Sequence, residues 1–206
     1  GVAPYYQLVL AAAEAGPVVT SCGITLHAEA SYHAAGLRPD TLMLAGGDGA
    51  RLLDDPRAIG RIRQLAEAAP RVATICTGVF PLAATGLLNG RRTVTHWQRA
   101  DLLAGRFPKL IVDADTLFTS DGKYHTSAGV SAGIDLALAL VEQDLGRDLA
   151  LQIARRLVLF LKRPGGQSQF SGLLRAQIGQ ASKARFATLD HWMRENLRDD
   201  LSVERL

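Results

Sequence analysis

Arg71-Val72-Ala73-Thr74-Ile75-Cys76-Thr77-Gly78 decides the fold. Val72 to Ile75 is apolar or β-branched with no polar alternation, which suits a strand buried on both faces of a parallel sheet. Residues 78–85 follow at once with helical character, and Gly86 ends them. A strand that turns straight into a helix holds Cys76 on a sharp turn above the sheet. The helix end there offers free N–H groups and positive partial charge, which lower a thiol's pKa.

The same alternation extends in both directions. Upstream, residues 5–10 and 23–30 are expected to be strands, and 41–45 a short apolar strand running into Gly46-Gly47-Asp48-Gly49. Residues 56–69 form a helical pattern with Ile59, Ile62 and Leu65 near one face and Pro56 at its start, where a missing N–H costs little. Downstream, 93–95 is expected to be a strand and 97–105 a helix. Strands 110–113, 116–119 and 124–127 follow, the last two joined by the turn Ser120-Asp121-Gly122-Lys123. Residues 131–146 form a helix that Ser131 is placed to cap, with Ile134, Leu138, Val141 and Leu145 at helical spacing. A second helix, 148–162, comes after Gly146. Alternation of this kind predicts an α/β fold, a mainly parallel sheet covered by helices.

Composition sets the outer limits. The 206 residues suffice for one domain and a short extra element. Hydrophobic residues make up 48% and charged residues 21%, ordinary for a globular protein. No apolar run approaches the roughly 20 residues of a membrane span. The opening Gly1-Val2-Ala3-Pro4 has no basic n-region, so no signal peptide is expected. Two cysteines, Cys22 and Cys76, make no disulfide framework, and a reducing cytoplasm is the simpler setting. The formal charge is +3 but uneven. Residues 149–189 contain no Asp or Glu, yet hold Arg155, Arg156, Lys162, Arg163, Arg175, Lys183 and Arg185. Such a band attracts phosphates or an acidic partner; a solvated helix face plus a linker explains it equally well.

Composition changes at Arg163. The sequence divides into a domain over 1–163, a breaker-rich linker over 164–181 and a further element over 182–206. In that element Phe186, Leu189, Trp192 and Met193 share one helical face. Two helices cannot bury their apolar stripes alone, so a following domain is expected.

Chemistry concentrates at one edge of the predicted sheet. Gly46-Gly47 ends the strand before Cys76, so its N–H groups, with that of Thr77, are placed for an anion or oxyanion pocket. That edge is where open α/β sheets bind ligands. Thr95-His96-Trp97 follows a short strand, and a Cys76–His96 pair is the minimum for thiol chemistry. Against this, a lone cysteine is more often a small buried hydrophobe and a lone histidine more often structural. Cys22 has no motif around it and is expected in the core. Trp97 is expected to pack rather than bind, and Asp135 to sit as a charge near a helix N-terminus. No metal-ligand set and no cofactor motif is read.

Taken in order, Gly46-Gly47, Cys76-Thr77-Gly78, Gly86-Leu87-Leu88-Asn89-Gly90, Thr95-His96-Trp97 and Thr126-Ser127-Ala128-Gly129-Val130-Ser131-Ala132-Gly133-Ile134-Asp135 resemble the ThiJ/PfpI (class I glutamine amidotransferase-like) superfamily over about residues 5–160. The resemblance implies a doubly wound, flavodoxin-like, mainly parallel sheet with helices on both faces. It implies a reactive cysteine at Cys76 and its histidine at His96. Residues 160–170 resemble the segment after this domain in GlxA-type regulators of the AraC/XylS family, and 192–206 the start of their helix-turn-helix domain, which is expected to be truncated. The superfamily's first strand, and the acid after it that hydrogen-bonds the elbow thiolate, have no counterpart, and the chain is expected to begin after them. His125 has no Glu two residues on, so amidotransferase activity is not expected.

Three functions follow from the resemblance. The first is a sensor domain that binds a small metabolite, of the amino acid or amine class, at Gly46, Gly47, Cys76, Thr77, His96 and Trp97. The rest of a dimeric, cytoplasmic regulator then binds DNA. The second is an isocyanide hydratase-like enzyme with Cys76 as nucleophile. A superfamily chaperone or deglycase is a third, and neither of these two explains the residues after Arg163.

Overall fold

A computed structural model describes residues 4–47, 49–163 and 165–167. The chain divides into two units, Gly1–Pro164 and Gly165–Leu206, and the architecture below is that of the first. The expected linker, apart from 165–167, and the expected helices over 182–206 lie outside the described residues.

In chain order the strands and helices are β1 (Ala11–Ala12), β2 (Gly16–Val19), β3 (Thr25–Ala28), β4 (Ala30–Ser31), β5 (Thr41–Leu44), α1 (Pro56–Ala68), β6 (Arg71–Ile75), α2 (Val79–Ala84), β7 (Arg92–Val94), α3 (Ala100–Arg106), β8 (Ile111–Asp113), β9 (Phe118–Asp121), β10 (Tyr124–Ser127), α4 (Ser131–Leu145) and α5 (Arg147–Arg156). Short 3₁₀ turns precede α1, α2 and α3.

The central sheet runs β5-β6-β10-β9. β5 and β10 flank β6 in parallel, with Leu42 opposite Val72 and Thr126 opposite Thr74. β9 returns antiparallel to β10 through the Gly122 turn that the sequence signalled. Pairs β7-β8 and β1-β4 are parallel, and β2-β3 is a hairpin. This is the flavodoxin-like α/β fold, mainly parallel, with helices on both faces of β6. Val72 faces the larger core, with Ile62, Ala66, Val79, Leu82, Leu88 and Leu103. Ala73 and Ile75 face the other way, against Leu136 and Leu140 of α4. β6 can be apolar throughout because both of its faces are covered.

Local chemistry explains the boundaries that the sequence located. Asp55 caps α1, its carboxylate accepting from the N–H groups of Arg57 and Ala58 at 2.9 and 3.0 Å. Gly86 leaves α2 at φ +79°.

Four local expectations need correction. Residues 5–10 form no strand, since a strand needs a ladder partner and only the carbonyl of Leu10 finds one, in the N–H groups of Glu29 and Ala30. Leu8 is 86% exposed, and among the described residues no strand pairs with β5 on its side away from β6. Ser131 does not cap α4. Val130 precedes that helix without a side-chain cap, and Ser131 Oγ instead accepts from Arg163. The last helix stops at Arg156 rather than 162, because Val158 adopts φ +57°. Cys22 is exposed, in the tight turn between β2 and β3.

Candidate functional site

Cys76 follows β6 directly and takes φ +54°, a left-handed conformation rare for a side chain with a Cβ. It opens the 3₁₀ turn Cys76–Gly78 that leads into α2. Such strain persists only where the surroundings over-determine it. The surroundings are glycines. A Cβ on Gly78 would lie 2.3 Å from the carbonyl oxygen of Leu44. A Cβ on Gly129 would lie 2.4 Å from Cys76 Cβ and 2.9 Å from its Sγ, and φ there is +110°. Gly46 closes the third side, its Cβ position 2.9 Å from Cys76 Cβ. The loops after β5, β6 and β10 therefore converge on one cysteine at the C-terminal edge of three adjacent parallel strands, where ligands enter such sheets.

The pocket donors differ from the expectation. Thr77 Oγ1 takes the Gly47 N–H at 3.0 Å and donates to the Gly47 carbonyl at 2.7 Å. The Gly47 N–H is thereby committed within the protein and does not point at an incoming anion.

Beyond β7, Thr95 is the residue that reaches the elbow. Its Oγ1 donates to the Cys76 carbonyl at 3.0 Å. His96 Nδ1 accepts from the Gln98 N–H at 3.3 Å, capping the turn Trp97–Arg99, which leaves Nε2 to carry the proton in the neutral ring. Burial, and then the charge of Arg99, hold His96 below the ordinary histidine pKa. Among the described residues no hydrogen bond joins His96 to the Cys76 sulfur, so the two are on one edge but not a bonded pair. Trp97 lies beside His96 with ring centroids 5.6 Å apart.

The other chemistry-bearing residues are structural partners. Thr126 Oγ1 accepts from the Val94 N–H at 2.8 Å, tying β7 to β10. His125 bonds Ser120 across the hairpin at 2.8 Å, and burial with nearby Arg71 lowers its pKa. The exposed Cys22 thiol is pulled down by the Thr20 hydroxyl at 3.1 Å. Asp135 is 6% exposed and paired: Arg163 Nε donates to both of its carboxylate oxygens at 3.0 Å, and Arg163 Nη2 also bonds it. Besides the helix N-terminus expected to steady it, Asp135 thus has a partly buried arginine as its partner. Sequence reasoning missed this pair and Thr95. A 28-residue separation gives no periodic signal for the first, and Thr95 was overshadowed by its neighbour His96.

Among the described residues no group of three or more His, Cys, Asp or Glu is arranged to hold a metal ion, and no helix is long and apolar enough to cross a membrane.

Comparison with known proteins follows the same outline. The model of the DJ-1/PfpI family matches residues 4–143. The chain is 33% identical over 162 residues to the HTH-type transcriptional regulator CdhR of Pseudomonas aeruginosa, covering 79% of this chain and 48% of the regulator. It is 33% identical over 156 residues to an isonitrile hydratase of Pseudomonas putida, covering 75% of this chain and 66% of the hydratase. The chain therefore spans about half the length of the curated regulator it matches. A solved ThiJ/PfpI family protein from Pseudomonas syringae superposes with a TM-score of 0.68 at 24% identity, over 77% of this chain and 65% of that one.

Proposed function

The chain belongs to the DJ-1/PfpI family, and from that premise we propose that it is the ligand-sensing domain of an AraC-type transcription regulator. The likeness to an HTH-type regulator over 79% of the chain supports a regulatory role. Sensing rather than turnover is supported by the committed state of the site. His96 spends its Nδ1 on Gln98, the Gly47 N–H is spent on Thr77, and the Cys76 sulfur has no bonded base among the described residues. A base within hydrogen-bond reach is one of the ways in which a thiol nucleophile is activated. In this reading a small polar metabolite, of the amino acid or amine class, binds at Cys76 among Gly46, Gly47, Thr77, His96 and Trp97. DNA is bound by a domain beyond these residues, and the regulator acts as a cytoplasmic homodimer, since paired half-sites favour paired readers.

The second reading is an isocyanide hydratase-like enzyme, favoured by the 33% identity to the Pseudomonas putida hydratase. One experiment separates the two. Amino acids, amines, betaines and isocyanides are screened by thermal shift against the wild type and Cys76→Ser. A sensor is stabilised by one ligand class in both proteins, because a ligand of the native state raises its melting temperature. Steady turnover of an isocyanide, abolished in Cys76→Ser, would overturn the sensor.

A further inference from the structure

The first two turns of α4 touch two things at once. On one side, the turn Gly129-Val130 leans on the elbow so closely that a Cβ on Gly129 would meet Cys76 Cβ, and Gly133 packs against Ile75, with its Cβ position 3.2 Å from Ile75 Cγ2. On the other side, Ser131 and Asp135 hold Arg163, whose Nη2 also donates to Ser131 Oγ at 3.3 Å. At 100° per residue, positions 131 and 133 lie about 200° apart around a helix, which places elbow and arginine on opposite faces of the same turn. Asp135 and Arg163 keep side-chain exposures of only 8% and 21%. An ion pair so buried is costly to leave half-made.

The turn that joins these two contacts is strained and uncovered. Val130 adopts φ +35° and ψ −100° with 84% of its surface exposed. A β-branched residue in that region is held there by its neighbours alone, through the Ala132 N–H to Gly129 carbonyl and Gly133 N–H to Val130 carbonyl bonds of 2.8 and 3.1 Å. Strained segments of this kind are where small displacements are converted into switches. Arg163 also lies one residue before Pro164, where the first unit ends.

We propose that the Asp135–Arg163 pair is the output latch of the Cys76 site. A group added at or bound beside Cys76 presses on Gly129, shifts the first turn of α4, and releases Arg163 with residues 157–163 that carry it. The latch rests on the sensor reading for its purpose, but its mechanics do not depend on which metabolite binds. Coupling between two sites is reciprocal, so breaking the latch must also change the elbow.

The test uses the whole 206-residue chain in a Cys22→Ala background, with iodoacetamide as the probe of Cys76. The thiolate displaces iodide, and intact mass reports the rate. Arg163→Gln and Asp135→Asn are expected to change the Cys76 rate by about fivefold, a modest allosteric coupling, and the double variant no further than either single. Arg163→Lys is expected in between, and Lys162→Gln, which loses only the exposed pair with Glu142, at the wild-type rate. In the reverse direction, amide exchange over residues 157–163 is expected to quicken after alkylation in the parent but not in Arg163→Gln, where the latch is already open. Arg163→Lys keeps the charge at the site and so remains informative if Asp135→Asn unfolds. Equal Cys76 rates in the parent, Arg163→Lys and Arg163→Gln, with exchange over 157–163 unmoved by alkylation, would overturn the latch. Because the probe is a reagent and not a metabolite, that result leaves the sensor reading to the thermal-shift screen, and a failed screen leaves the latch to this one.

Discussion

Thr77 and Gly47 exchange a pair of hydrogen bonds, the Gly47 N–H donating to Thr77 Oγ1 at 3.0 Å and Thr77 Oγ1 donating to the Gly47 carbonyl at 2.7 Å. Thr77 follows β6 and Gly47 follows β5, so this clasp fastens the loops of two neighbouring parallel strands beside Cys76. Loops of this kind have no ladder of their own, and one side chain does the fastening. Thr77→Val keeps the shape and removes both bonds, and is expected to cost about 1 kcal/mol. Urea unfolding reads that loss, and Thr77→Ser, which keeps the hydroxyl, is expected to recover most of it.

Gly129→Ala tests the close approach at the elbow. The added Cβ would meet Cys76 Cβ at 2.4 Å in a backbone at φ +110°. Overlap and left-handed strain together are expected to cost about 3 kcal/mol or more. Gly60→Ala is the opposite case, because Gly60 lies inside α1 with nothing within 4 Å of its Cβ position. It is expected to stabilise by about 0.5–1 kcal/mol through helix propensity. Equal melting temperatures for the two variants would contradict this account of the elbow.

Thr74 lies in β6, fully buried, and its hydroxyl has no hydrogen-bond partner among the described residues. An unsatisfied buried hydroxyl costs more than it returns. Thr74→Val, nearly the same shape, is therefore expected to leave stability unchanged or raise it by about 1 kcal/mol, as measured by denaturant midpoint. A loss of similar size would show that the hydroxyl has a partner in solution.

Asp144 and His125 are two of the groups that set the response to acid. Arg71 chelates Asp144 at 2.7 and 2.5 Å and holds its carboxyl below the usual range, while Tyr6, partly buried and donating to the same carboxylate at 2.8 Å, is pushed up to about 12. A depressed acid stabilises the fold in full above its unfolded value of about 3.9, and that contribution is lost as the pH falls through the folded value. His125 is likewise depressed, by burial first. Its neutral form is favoured in the fold, so its contribution is complete above about pH 6.5 and fades as the pH drops toward the folded value. Stability is therefore expected to decline in two stages on acidification. His125→Gln is expected to shrink the first stage, to which His96 also contributes, and Asp144→Asn to cost about 2 kcal/mol at neutral pH while shrinking the second, which Asp113 and Asp121 share.

Much of this protein was legible in its sequence. The continuous apolar run of β6 followed at once by Gly78 set the strand-to-turn junction and with it the place of Cys76. The Pro56 start of α1 and the Gly122 hairpin were equally plain, because turns and periodicity are written within a few consecutive residues. Tertiary structure decided what depends on residues far apart in the chain. Residues 5–10 carry a strand pattern but pair with no strand, since ladder bonds need a neighbour. Cys22 has a core residue's chemistry and an exposed turn's position. Gly47 has an N–H suited to an anion, yet Thr77, thirty residues later, consumes it. Asp135 carries a charge near a helix start, yet Arg163, from beyond the next helix, is the partner that lies against it. In each case the sequence stated what a group can do, and the fold chose which partner it does it with, because a hydrogen bond or ion pair is settled by distance in space and not by spacing along the chain.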